Sequence, residues 1–275
     1  MRFILRHSLF LILFISQWAL ASALIINGKI VSADNVVAKS VVNLLKQDEN
    51  GIWYSICTGS IIDKNTIITA AHCVFEFKPE TILVNFSIVT LDNEKQNFKI
   101  SRIVNPEIGL DVRKVSAYLV HPKYVINQMD RPNDIAIVRL SKPAPNTAIP
   151  IKFLPKKIIS DKNNQFSLEG QSYSVTLMGF GLISESPRKG STQLRMTDVV
   201  GTFEKGILVT DQTKGTGACN GDSGGPAFLK IKNKTYLVGV TSGPYGDAQT
   251  CDQFGAYANP NLNLDFITKA LKTLN

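Results

Sequence analysis

Short apolar runs of alternating or β-branched character, punctuated by turn residues, fill the chain after its first two dozen positions. Residues 172–179, "SYSVTLMG", set Tyr173, Val175 and Leu177 against Ser172, Ser174 and Thr176, a period of two that predicts a half-buried strand. "DIAIVRL" (134–140) and "KTYLVGVTS" (234–242) are rich in β-branched residues between turn signals and also read as strands. "CTGSII", the turn "DKNT" and "IITAAHC" (57–73) read as strand, turn and strand. Three prolines in "SKPAPNTAIP" (141–150) remove ladder donors and predict a linker between two halves. Only the C-terminal stretch has helical spacing: Ile267, Ala270, Leu271 and Leu274 share one face. Many short strands and one closing helix predict an all-β architecture of two barrels.

The opening differs. Residues 1–23, "MRFILRHSLFLILFISQWALASA", place Arg2 and Arg6 before an apolar run and end on a small-residue cleavage signal, the layout of a secretory signal peptide. The apolar stretch is broken by Ser16 and Gln17 and falls short of the ~20 residues a span needs. Export is therefore expected, to the extracellular space or to a periplasm if the source is bacterial, with no stable membrane anchor. Removing the leader lowers the formal charge from +8 to +6 (28 basic, 22 acidic). The lysines are scattered with no run of five, so a nucleic-acid partner is not expected.

Four cysteines in an exported chain predict two disulfides, with three possible connectivities. Pairing within each neighbouring set, Cys57–Cys73 and Cys219–Cys251, closes loops worth about 3 and 3.5–4 kcal/mol. His72-Cys73 is the one close His/Cys pair, and no ligand spacing recurs, so no metal is expected.

The candidate chemistry centres on "GTGACNGDSGGP" (215–226), where Ser223 sits among glycines. A serine hydroxyl needs a base and donors aimed at the charge it creates. Gly224 and Gly225 permit a tight turn that exposes the hydroxyl. His7 is in the leader, leaving His72 and His121 as mature histidines, and His121, before a proline, reads as a packing or surface residue.

"TAAHC" (69–73), "HPKY" (121–124), "NDIAIVRL" (133–140) and "GDSGG" occur in a fixed order. Together they make residues 25–275 resemble the trypsin/chymotrypsin-like serine protease family. The resemblance implies two antiparallel six-stranded barrels, about 25–140 and 151–260, with the C-terminal helix and an active site between them. It implies Ser223 as nucleophile, His72 as general base and acid, and Asp134 as its orienting carboxylate. It implies an oxyanion hole from the N–H groups of Gly221 and Ser223, with no cofactor. Asp222 would pair with the amine of a mature N-terminus at Ile25, in "IING". Release of a propeptide of Leu24 alone, or of 22–24, precedes that pairing. Leu24 replaces the basic residue common in the family, so cleavage is expected by the chain itself or by a protease preferring apolar residues.

For the primary specificity pocket the resemblance points to Gly217 and Ala218 at the floor, and to Ser242, Gly243, Pro244 and Gly255 along the walls. No aspartate stands at the floor, so leucine, phenylalanine or tyrosine is expected before the cut bond, with Asp247 and Asp252 near enough in sequence to compete. Ser242 resembles the family serine that hydrogen-bonds the triad aspartate. Residues 195–219 are short and lack the family's helix there, whereas 105–116 read as an insertion. Expected partners are protein or peptide substrates and a proteinaceous inhibitor, for a monomeric endopeptidase. A non-catalytic binding protein on the same scaffold, or an esterase using the same triad, are the competing readings. Asn85 and Asn233 lie in glycan-acceptor triplets.

Overall fold

The computed structural model of the chain describes residues 25–51, 53–88, 111–126, 131–159, 167–184, 189–191 and 193–274. The expected leader, Leu24 and residues 105–110 of the expected insertion lie outside them. A two-residue strand, β1 (Lys29–Ile30), comes first, followed by six strands that close on themselves. These are β2 (Val41–Gln47), β3 (Trp53–Asp63), β4 (Thr66–Thr69), β5 (Ile82–Asn85), β6 (Val112–Val120) and β7 (Ala136–Leu140). Their order around the barrel is β2–β3–β4–β7–β6–β5, every pair antiparallel, and β5 returns to β2. Residues 112–116 of the expected insertion form the first half of β6, so that part of the added sequence is barrel wall.

Residues 141–150 contain no strand, as three prolines require. Then come β8 (Lys152–Phe153), α1 (Lys156–Ile159), β9 (Ser172–Gly179), β10 (Leu182–Ser184), β11 (Lys189–Gly190), β12 (Arg195–Glu204), β13 (Ile207–Asp211), β14 (Pro226–Ile231), β15 (Lys234–Pro244), β16 (Phe254–Ala258) and α2 (Leu264–Leu274). The second barrel runs β12–β13–β16–β15–β14–β9, and a β9–β12 pairing closes it. β1 adds to β12 in antiparallel fashion and β8 adds to β15 in parallel. Two closed six-stranded antiparallel barrels and a short C-terminal helix are thus the architecture, as the sequence predicts.

Alternation decides which faces meet. In β9, Val175 and Leu177 are buried while Ser172 and Ser174 face water. They pack inside the second barrel with Phe203, Leu208, Leu229 and Val238. The first barrel's core (Leu44, Ile61, Ile68, Val84, Ile137) is continuous with Met178, Phe180, Phe228 and Val240 of the second. Each such side chain contributes about 1.5–3 kcal/mol by burial. One apolar mass therefore fixes the two barrels against each other. α2 closes over it through Ile267 and Ala270, with Leu271 and Leu274 half-buried beside them.

Candidate active site

Asp134 lies in the turn before β7, where its N–H donates to the Arg131 carbonyl (3.2 Å). Its carboxyl is fully buried. Oδ2 faces His72 Nδ1 at 2.7 Å and accepts from Ser242 Oγ at 2.6 Å, and Oδ1 accepts the His72 backbone N–H at 3.0 Å. Burial works against ionisation there. The hydrogen bonds and charge of His72 and the Ser242 hydroxyl outweigh it, holding the carboxyl below the ordinary value. Arg131 Nη1 stands 4.0 Å from the same oxygen.

His72 sits in a single 3₁₀ turn, Ala71–Cys73, directly after β4. The Cys57–Cys73 disulfide ties that turn to β3. With Nδ1 committed to the carboxylate, Nε2 is left as the ring's second proton-exchanging atom, on a side chain one-quarter exposed.

Ser223 is held by its backbone from both sides. Its carbonyl accepts the Thr58 N–H at 2.8 Å, and the next residue, Gly224, donates to the Thr241 carbonyl at 2.7 Å. Thr58 adjoins Cys57, whose disulfide leads to His72, and Thr241 adjoins Ser242, which grips Asp134. The loop carrying the hydroxyl is thus anchored to immediate neighbours of the residues that hold imidazole and carboxylate. Gly224 has a φ of +76°, and a methyl there would come within 2.0 Å of Thr69 Oγ1. Only glycine fits that seam. Gly221 likewise has a φ of +94°. Among the described residues, no protein acceptor takes the N–H of Gly221 or of Ser223.

Asp222 points into the protein, fully buried, accepting N–H groups from Gly181 (2.8 Å) and Cys219 (2.9 Å). Burial pushes its pKa up to about 7, the two N–H groups offsetting only part of that effect. Ile25 is buried too, and Ile26 makes a β-bridge to Gly217, whose N–H donates to the Ile26 carbonyl at 3.2 Å. The Asn27 amide reaches the Gly215 carbonyl. In the intact chain the Ile25 nitrogen is an amide and brings Asp222 no charge.

Beside Ser223 opens a pocket of about 160 Å3. Ala218, Gly243, Pro244 and Gly255 line it, together with Gln212, Phe254 and Tyr257. Ser242 does not, its hydroxyl being turned to Asp134. Gly217 does not either, because the Gln212 carboxamide stands where a side chain at Gly217 would project, with Cδ 2.1 Å from that Cβ position. Asp247 and Asp252 are exposed and outside the lining. Gln212 escapes sequence reading altogether, since no motif marks a glutamine just past a strand end. The Cys219–Cys251 disulfide joins the serine loop to the opposite rim.

The other expected residues have structural surroundings. His121 is buried edge-on against Phe266 of α2, ring centroids 4.7 Å apart, and burial followed by the nearby Lys123 charge lowers its pKa. Cys57, His72 and Cys73 bring potential ligand atoms within 4.8 Å of one another, but both sulfurs are spent on the disulfide. No helix among the described residues is long and apolar enough to cross a membrane. Asn85 is buried in β5, whereas Asn233 is exposed at the β14–β15 turn.

Two closed six-stranded barrels thus carry an imidazole–carboxylate pair and a serine on a glycine turn. A family model described as Trypsin matches residues 25–267, and the chain belongs to that family, as a trypsin/chymotrypsin-like serine protease. Trypsin-2 of Salmo salar is 27% identical over 229 residues, 80% of this chain and 87% of the relative. Trypsin-1 of Salmo salar is 27% identical over 227 residues, covering 79% and 82%. The CLIP domain-containing serine protease B4 of Anopheles gambiae is 26% identical over 208 residues, which span 70% of this chain but only 56% of that protein.

Proposed function

We propose that the chain is a secreted endopeptidase that cuts peptide bonds through an acyl-enzyme on Ser223. The observation that carries this reading is the Asp134 carboxylate, buried and bonded to both His72 and Ser242, beside a serine loop pinned to the same two regions. His72 Nε2 takes the proton as Ser223 Oγ bonds to the substrate carbonyl carbon. Asp134 stays ionised, fixes the tautomer and stabilises the imidazolium. The N–H groups of Gly221 and Ser223 receive the oxyanion, each such donor being worth about 2.7–4 kcal/mol. His72 returns its proton to the departing amine, breaking the C–N bond, and then activates water to hydrolyse the ester.

Export directed by residues 1–23 with cleavage of that leader, removal of Leu24 (or 22–24) and pairing of the freed Ile25 amine with Asp222 complete the proposal. Substrates are proteins or peptides with an apolar or aromatic residue before the cut bond, because neither Asp247 nor Asp252 lines the pocket. A peptide-library digest read by mass spectrometry, with a Ser223→Ala control, tests activity and preference together. Cleavage that survives in the control, or that falls mainly after arginine, would overturn it. N-terminal sequencing of active enzyme should begin at Ile25.

A further inference from the structure

We infer that Gln212 sets the depth and chemistry of the specificity pocket, restricting it to aliphatic side chains such as leucine and methionine and rejecting aromatic and basic ones. The inference rests on the proposed peptidase reading and narrows it.

Gln212 follows β13 and is 2% exposed. Its backbone N–H donates to the Gln253 carbonyl at 2.8 Å, fixing the residue on the strand that bears one wall. Its side chain spans the pocket's inner end. Oε1 accepts the Ala218 N–H at 2.7 Å, while Nε2 donates to the carbonyls of Cys251 (2.6 Å) and Ala218 (3.2 Å). Both amide hydrogens are committed and the oxygen is occupied, so the floor offers an entering side chain neither charge nor a free donor. A lysine or arginine head would be desolvated there without a counter-charge.

Depth follows from the same contacts. Gly217 has no side chain, which by itself would leave a deep slot, but the Gln212 carboxamide fills that volume and Gly217 does not reach the cavity. The amide is braced at both ends by backbone, so it cannot swing away without breaking hydrogen bonds to two walls. An aromatic ring long enough to reach the floor meets a fixed polar plane, and a branched aliphatic chain stops short of it.

The test uses mature enzyme and peptides that differ only at the residue before the cut bond, with a fluorophosphonate to count active Ser223. Wild type should give kcat/KM for leucine about tenfold or more above phenylalanine, tyrosine and arginine. Gln212→Ser opens the floor and should move the phenylalanine-to-leucine ratio about tenfold toward phenylalanine. Gly217→Ala deletes no donor or acceptor of its own but forces the carboxamide off its bonds to Ala218 and Cys251 and into the cavity, and should lower leucine relative to alanine by a similar factor. If Gln212→Ser fails to fold, the wild-type panel and Gly217→Ala decide. Normal labelling with a wild-type preference for aromatic residues, or with ratios unmoved in the variants, overturns this inference alone. No labelling of wild type overturns the catalytic reading and this inference with it.

Discussion

Ser242 Oγ and His72 Nδ1 share one atom, Asp134 Oδ2, at 2.6 and 2.7 Å, although 108 residues separate Ser242 from Asp134. The second barrel thus orients a carboxylate that belongs to the first. Removing the hydroxyl with Ser242→Ala loses a hydrogen bond to a charged group, about 1.5–3 kcal/mol. It should lower kcat/KM about tenfold or more.

The same variant has a pH signature. Asp134 titrates below its ordinary 3.8 in the folded chain, so it adds stability above that value and loses it as pH falls through the folded value. Ser242→Ala raises the folded value and reduces the contribution at neutral pH. In acid, where Asp134 is protonated folded and unfolded alike, the hydroxyl no longer matters to this balance. Urea unfolding in a Ser223→Ala background should show wild type and variant well separated at pH 7 and drawing together as pH falls below 3.8. A gap that widens in acid would contradict the assignment.

Asp222 behaves in the opposite sense. Its pKa in the intact chain is raised from 3.8 to about 7, so folded protein binds a proton between those values that unfolded protein does not. Precursor stability is therefore full below the ordinary carboxylate value and falls as pH rises through about 7, by at most about 4 kcal/mol. Asp222→Asn in a Ser223→Ala precursor should abolish that slope. Processing at Ile25 should reverse it, because an ammonium beside the carboxylate lowers its pKa. Denaturation of precursor and processed chain at pH 5 and pH 8 reads both.

The candidate site was legible where it is local in sequence. "TAAHC", "NDIA" and "GDSGG" each carry a side chain together with the turn that presents it, and the alternation in residues 172–179 announces β9. Gln212 was not legible, because its role arises only when the end of β13 folds under Ala218 and Cys251. β1 was hidden for another reason: two residues leave no period, and Lys29–Ile30 joins β12 of the distant barrel. Residues 112–116 read as inserted material because the strand they open, β6, alternates weakly, with Val115 its one fully buried side chain.

Two glycines of the cleft should respond differently to the same substitution. Gly224→Ala forces a side chain onto a φ of +76° and against Thr69 Oγ1 and the Thr58 carbonyl, 2.0 and 2.4 Å away. Relief requires the serine loop to separate from β3, so stability should fall by about 3 kcal/mol or more, with loss of activity. A Cβ at Gly243 meets nothing within 4 Å. Gly243→Ala should stay within about 0.5 kcal/mol of wild type in thermal unfolding. Equal losses in both would mean the loop is not wedged as described.

The two disulfides divide stability from chemistry in different proportions. Cys57–Cys73 closes 16 residues next to His72, and Cys219–Cys251 closes 32 around the pocket, contributing about 3 and 3.7 kcal/mol by chain entropy. Gln212 bonds the backbone of both Ala218 and Cys251 alongside the second bridge, and Thr69 Oγ1 donates to the Thr58 carbonyl at 2.8 Å alongside the first. Replacing Cys219 and Cys251 with serine should cost the larger share of stability, yet act on activity mainly through a higher KM. Replacing Cys57 and Cys73 loosens the turn that aims the imidazole, and should act mainly on kcat. Steady-state kinetics on one leucine substrate, beside denaturation midpoints, separate the two, and a kcat effect confined to the Cys219–Cys251 variant would reverse the assignment.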